Sequence, residues 1–341
     1  MSIGPVRVRL VVYATALLFV STASGASILT PYNVIVNGYF VDTASDICGG
    51  LAAEGTVTLG PGGSSYNVGD DLNGEPISAF PLTNSTNGKF TNTGTPFVTV
   101  GGVTSTTIGT TTYPTDTAKP NAGNYFATGS IDASADSTGA VTSTNPVNFT
   151  TAFTQFGSQA GTWGAMAQTS GDSVANANNV TTITITNPGA NYVTVTTTQL
   201  AADEIEFVGV SSTSWVIVNV AGSSVTLEPA WGTYFCTSAG TNCGQEAGDG
   251  ATGAEDVLYN FYQATSVTMA DTVVGSVLAP GAAATDTGAQ FDGSLVAASF
   301  LGSVEFHNLP FMGGATPEPA PVACVGLGLL ALAYFRKRRR A

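Results

Sequence analysis

Between Val273 and Phe311 the chain reads VVGSVLAPGAAATDTGAQFDGSLVAASFLGSVEFHNLPF, and in lines of 18 residues this stretch superimposes on itself. Gly275-Ser276-Val277-Leu278-Ala279 falls over Gly293-Ser294-Leu295-Val296-Ala297. A short apolar run, opened by glycine and returning at a fixed interval, cannot bury itself alone. It is buried when each coil stacks on the last, as in a β-solenoid. Such a stack needs three or more coils. A third echo of the Gly-x-Leu-x-Ala frame lies far upstream, in Gly49-Gly50-Leu51-Ala52-Ala53. The predicted fold is therefore mainly β, a solenoid of the right-handed β-helix kind, dried inside by small aliphatic side chains.

Composition agrees with stacked sheet. Charged residues are 9% of 341, hydrophobic residues 43%, and there are 41 glycines. Low charge with abundant Thr, Ser, Ala and Val favours extended sheet over helical bundles, and the hydrophobic content argues against disorder. The net charge is -14, and the basic residues sit at the ends: Arg7 and Arg9 in front, Arg336 to Arg340 behind. Only Lys89 and Lys119 lie between them, so nucleic acid is excluded as a partner.

Residues 1–25 have the layout of a secretory signal: Arg7 and Arg9, the apolar run Leu10 to Val20, then Ala23-Ser24-Gly25-Ala26 for signal peptidase after passage through the Sec machinery. The mature domain is expected over 26–313. Strand signals open it at Tyr32 to Phe40, residues 82–145 read as a loop-rich insertion, and strands return densely from Thr181 to Val220. One amphipathic helix is predicted over 146–166. Phe149, Phe153, Phe156, Ala160 and Trp163 form its apolar stripe, Asn145 or Asn148 caps it, and Gly157, Gly161 and Gly164 weaken it. The helix is expected to dock on the solenoid. Residues 314–341 end the chain with Pro317-Glu318-Pro319, the apolar run Ala320 to Phe335 and five basic residues, which read as a C-terminal transmembrane helix with the domain held outside.

Two resemblances follow from these residues. Pro317-Glu318-Pro319, the short apolar helix and the basic terminus resemble the PEP-CTERM sorting signal of Gram-negative bacteria. That likeness implies recognition by an exosortase, with Glu318 in the motif that it reads. Tyr32-Asn33-Val34-Ile35-Val36, Gly50-Leu51-Ala52-Ala53, Trp215 to Val220, Leu258-Tyr259-Asn260-Phe261 and the closing repeat through His307-Asn308-Leu309-Pro310-Phe311 resemble the choice-of-anchor A family of surface proteins. This second likeness implies a surface or adhesive role without established catalysis. A solenoid with a helix along its side is also similar to some ice-binding proteins.

Few residues promise chemistry. Cys236 and Cys243 bracket a six-residue loop that a disulfide would close, while Cys48 is either a buried small residue or an intermolecular bridge. His307, the one histidine, reads as a structural residue hydrogen-bonded near Glu305 or Asn308; as a metal ligand it would need partners from elsewhere. Asp70-Asp71, Asp203-Glu204-Glu206 and Asp249-Glu255-Asp256 could hold calcium, though none has the spacing of a known loop, and no other cofactor is expected. The expectation is thus a non-enzymatic protein of the cell surface or matrix, binding exopolysaccharide through polar Thr, Asn and Ser faces. The alternatives are a glycoside hydrolase using a carboxylate pair, and an ice binder prompted by Thr182-Ile183-Thr184-Ile185-Thr186 and Thr194-Val195-Thr196.

Overall fold

The structure is a computed structural model that describes residues 32–43, 46–55, 148–245, 247–288 and 290–313, together with the backbone of three-residue strands between 57 and 127. The expected signal segment, the Pro317-Glu318-Pro319 motif and the C-terminal helix lie outside the described residues. Among the described residues no helix is long and apolar enough to cross a membrane.

The strands pair almost entirely in parallel, as coils of a solenoid do. One line of strands runs Gly189–Val195, Ser214–Val220, Val257–Asn260, Ser276–Asp286, Leu295–Gly302, Tyr32–Val36, Gly50–Ala53, Leu82–Asn84, Tyr125–Ala127. The order is not that of the chain. Tyr32–Val36 sits between Leu295–Gly302 and Gly50–Ala53, with Val34 opposite Leu295 and Ile35 opposite Ala52. The first and nearly the last strands are therefore neighbours, and the two halves of the chain extend away from that seam.

The repeated segment lies on adjoining rungs of this line. Val277 pairs with Leu295 and Ala279 with Ala297, while Ser276 Oγ accepts a hydrogen bond from Ser294 N at 3.0 Å and another from Phe311 N at 3.1 Å. Glycine opens each run for two reasons. Gly275 has φ +115°, which side chains other than glycine's rarely adopt, and a Cβ on Gly293 would stand 2.5 Å from the Gly275 carbonyl oxygen. Both serines and both alanines are buried. The repeat is thus a packing device and presents no hydroxyl to solvent.

The interior departs from the expectation of small aliphatic filling. Phe40 stacks on Phe300 with ring centroids 5.1 Å apart, and Phe291 on Phe306 at 5.0 Å. All four are fully buried, joined in one core by Phe207, Tyr259 and Phe261. Offset aromatic pairs fill the width of a coil with fewer side chains than Val or Ala would need, and each pair adds about 0.5–1.5 kcal/mol beyond its buried area.

The helix α1 runs from Phe149 to Gly164, starting three residues and ending two residues inside the predicted range. Asn148 caps it, its side chain accepting from Thr151 N at 3.0 Å, whereas Asn145 and Pro146 lie outside the described residues. Phe149, Phe156 and Ala160 are buried against Ile35, Ile217, Leu258, Leu278 and Val296, the outward residues of five rungs. Two asparagines then fasten its last turn to the sheet. Asn219 Nδ2 donates to Trp163 O at 2.8 Å and Asn260 Nδ2 to Ala160 O at 2.9 Å, and the two side chains bond each other at 2.7 Å across paired strands. Trp163 O also accepts from Met166 N at 3.0 Å, so these bonds tie the helix to the sheet and do not serve as its cap.

The three helix glycines divide. A Cβ on Gly157 or Gly161 would meet nothing within 4 Å, but one on Gly164 would stand 2.5 Å from the Tyr262 ring. Gly157→Ala and Gly161→Ala should each raise the unfolding free energy by about 0.5–1 kcal/mol, since only backbone entropy changes. Gly164→Ala should lower it; urea unfolding of the three variants checks the contrast.

Candidate functional surface

A second line of strands turns the corner from the first. Ser224–Leu227 pairs with Ser266–Met269, which pairs with the later half of Ser276–Asp286, then Leu295–Gly302, then Phe40–Asp42. Alternation sorts the side chains. Val225, Val267, Ala284, Phe300 and Phe40 point into the core, and the residues on either side point the other way. Two outward ranks result: Ser224, Ser266, Ala283, Ser299, and beside them Thr226, Thr268, Thr285, Leu301, Val41. Strand neighbours lie about 4.8 Å apart, so the hydroxyls of Ser224 and Ser266 and of Thr226, Thr268 and Thr285 repeat from rung to rung, while Ala283 carries none and Ser299 is buried. The array ends at an apolar patch where Leu301 is 47% exposed and Tyr39 45%.

Where these strands reach the next corner they border a cleft of about 560 Å³ lined by Glu228, Trp231, Gln245, Asp271, Thr272 and Thr287, among others. Trp231 is the most exposed large apolar residue described, at 57%. Its backbone is held on three sides. Trp231 N donates to Asp203 O at 2.7 Å, and its carbonyl accepts from Tyr234 Oη at 3.2 Å and Gln245 Nε2 at 3.1 Å. Pro229 O accepts from Gly232 N at 2.7 Å, closing a turn that leaves the indole on the rim. Asp271 lines the cleft with φ +59°, and a Cβ on Gly288 would stand 1.8 Å from its carbonyl oxygen. An indole over carboxylate, amide and hydroxyl groups can stack on an apolar ring face and hydrogen-bond its edge.

The residues singled out from sequence are distributed differently. The Thr-x-Thr pairs do not stack into one array: Thr182 faces Glu206 across its strand pair and Thr194 faces Asn219. Periodicity within a strand says nothing about which strand lies alongside. Asp203, Glu204 and Glu206 do not gather one oxygen each within 4.8 Å. Glu206 Oε2 accepts from Thr182 Oγ1 at 2.8 Å, and burial, then the neighbouring Glu206 charge, raises Glu204 above the usual carboxylate range. Cys236 and Cys243 face each other across an antiparallel pair and are joined by a disulfide, so their sulfurs are not free to bind an ion beside Glu206. Asp70-Asp71 lies outside the described residues. His307 is buried, with Nδ1 bonded to Asp292 Oδ1 and Nε2 3.5 Å from Glu305 Oε1. Its partner on Nδ1 is Asp292, not Asn308. Trp231 and Asp271 escaped sequence reading altogether, because an isolated tryptophan after proline signals only a turn.

A family model described as "Putative Ice-binding-like adhesive domain" matches residues 25–308. The chain belongs to this family. Among solved structures the chain is similar to one titled "Crystal structure of an ice binding protein from an Antarctic Biological Consortium", at 15% identity and a TM-score of 0.34, over 91% of this chain and 95% of that one. No curated protein matches the chain.

Proposed function

We propose that the adhesive domain is displayed at the surface of a Gram-negative bacterium and grips polysaccharide through the hydroxyl array and the adjoining cleft. The observation that carries this reading is Trp231, exposed on a backbone fixed by three hydrogen bonds, at the edge of the Ser/Thr ranks. Fixing the backbone beforehand removes part of the ordering penalty of binding. Repeated weak contacts along the array add through multivalency, because a long glycan crosses several rungs at once. Membership of the adhesive family supports the same role. In this proposal residues 1–25 direct export, Pro317-Glu318-Pro319 and the tail are a PEP-CTERM signal handled by an exosortase, and the domain is of the choice-of-anchor A kind.

Trp231→Ala is expected to weaken retention of the producer's exopolysaccharide at least tenfold while leaving the melting temperature within 2 °C or so, because the indole touches solvent more than core. Surface plasmon resonance on immobilised protein reads the first quantity and calorimetry the second. Unchanged retention would sink the cleft as the binding site. Release of reducing sugar by the wild-type protein would favour the glycoside hydrolase reading instead.

A second reading rests on the rank Thr226, Thr268 and Thr285: hydroxyls repeating at about 4.8 Å across parallel strands would order water and bind ice. Thermal hysteresis abolished by Thr268→Lys, with exopolysaccharide retention intact, would favour it.

A further inference from the structure

We infer that Cys48, Glu305 and His307 form a binding site for a zinc-like transition-metal ion, independent of the proposed adhesive face. The parallel pairing of Asp46–Ile47 with Glu305–His307 sets Ile47 opposite Phe306, and Cys48 N donates to Phe306 O at 2.8 Å. Ile47 and Phe306 fill the core, leaving their neighbours on the other side of the sheet. There the Cys48 sulfur, a Glu305 carboxylate oxygen and a His307 ring nitrogen all lie within 4.8 Å of one another.

The surroundings set which ring nitrogen faces the site. A carboxylate only accepts hydrogen bonds, so Asp292 on Nδ1 places a proton there; Nε2, which faces Glu305, is the nitrogen left to an ion, and the ion would displace any proton it carries. Asp292 is itself fixed, its Oδ2 accepting from Gly248 N at 2.9 Å. A carboxylate behind a histidine is the usual outer support of a metal-bound imidazole. The Nε2 to Oε1 separation is 3.5 Å. Two donors of a tetrahedral zinc site stand ~3.3 Å apart when each lies about 2.0–2.1 Å from the ion. Thiolate and carboxylate together neutralise a divalent charge, which suits a site where Cys48 and His307 are buried. Sulfur with imidazole selects zinc or cobalt over calcium or magnesium. Glu305, the most exposed of the three with 34% of its side chain accessible, gives the ion its way in and leaves the fourth position open.

The test is titration of the purified, chelator-treated full chain with Co²⁺ as a spectroscopic probe, followed by displacement with Zn²⁺. One equivalent of Co²⁺ should produce a sulfur-to-cobalt charge-transfer band, absent in Cys48→Ser, and Zn²⁺ should erase it. Glu305→Gln should weaken Zn²⁺ binding 10- to 100-fold with the fold unchanged by circular dichroism. Absence of the band in the wild-type chain overturns the site. So does equal Zn²⁺ affinity in Glu305→Gln, a result that remains decisive even if Cys48→Ser fails to fold.

Discussion

Raising the pH from about 4.5 to 8 is expected to lower the unfolding free energy of the chain by roughly 3–4 kcal/mol, and Asp286→Asn to remove most of that loss. Asp286 lies at the corner where the hydroxyl-bearing strands meet the cleft, on a rung between Met269 and Gly302. It is buried, its Oδ1 accepts from Gly288 N at 2.8 Å, and its Oδ2 has no hydrogen-bond partner. Burial is the largest influence on its carboxyl, and the charges of Asp42 and Asp271 add to it against the Gly288 N–H; together they push the pKa up to about 7. The folded state therefore holds a proton that the unfolded chain, with an ordinary carboxyl near 3.8, gives up. Stability from this proton is complete below about pH 4, falls as the pH climbs toward 7, and is gone above it. Asparagine keeps the acceptor for Gly288 N and cannot ionise. At pH 8 the variant should be the more stable protein; at pH 4.5 the two should differ little. Denaturant midpoints at both pH values decide the matter, and parallel pH curves for the two proteins would refute it.

Phe156→Ala should destabilise the chain by about 3–5 kcal/mol, the range for emptying a large buried aromatic site. Phe156 is 3% exposed, sits at the middle of α1 and meets the ring of Phe153 edge-on, with centroids 5.5 Å apart. The helix has no acidic residue in its first turn, no basic residue in its last, and three glycines within it. It stands by packing, so removing the central contact should free the whole helix from the sheet and expose Ile35, Leu278 and Val296 together. Phe153→Ala, at a half-buried position, should have a smaller effect. Urea unfolding followed by tryptophan emission reads both, because Trp163 and Trp215 border the same cluster. Unchanged midpoints for Phe156→Ala would show that α1 adds nothing to the stability of the sheet.

The architecture was legible wherever a signal was local. An 18-residue echo announced stacked coils, and the spacing of Phe149, Phe156 and Ala160 announced a docked helix. Pairing between distant segments left no local trace. Nothing in Tyr32–Val36 marks it for insertion beside Leu295–Gly302, because any apolar strand satisfies a parallel ladder. The hydroxyl array escaped for a related reason. Thr226, Thr268, Thr285 and Leu301 stand on neighbouring rungs, yet their sequence spacings are unequal, so no repeat search aligns them. The same seam brings Cys48 to His307, a meeting that only the tertiary arrangement could disclose.

That seam also dictates when the molecule can be finished. Asn33 Nδ2 donates to Gly293 O and, at 3.1 Å, to His307 O, so a residue from the beginning of the domain closes on groups 260 and 274 residues away. Contacts of such range slow folding, since a long loop must be closed before they are gained. As synthesis proceeds, Gly50–Ala53 can pair one edge of the opening strand early, but the edge that Leu295–Gly302 covers has to wait until nearly the final coil has been made. Any partner able to cover that edge in the interval would spare the chain from sticking to its neighbours before it is whole.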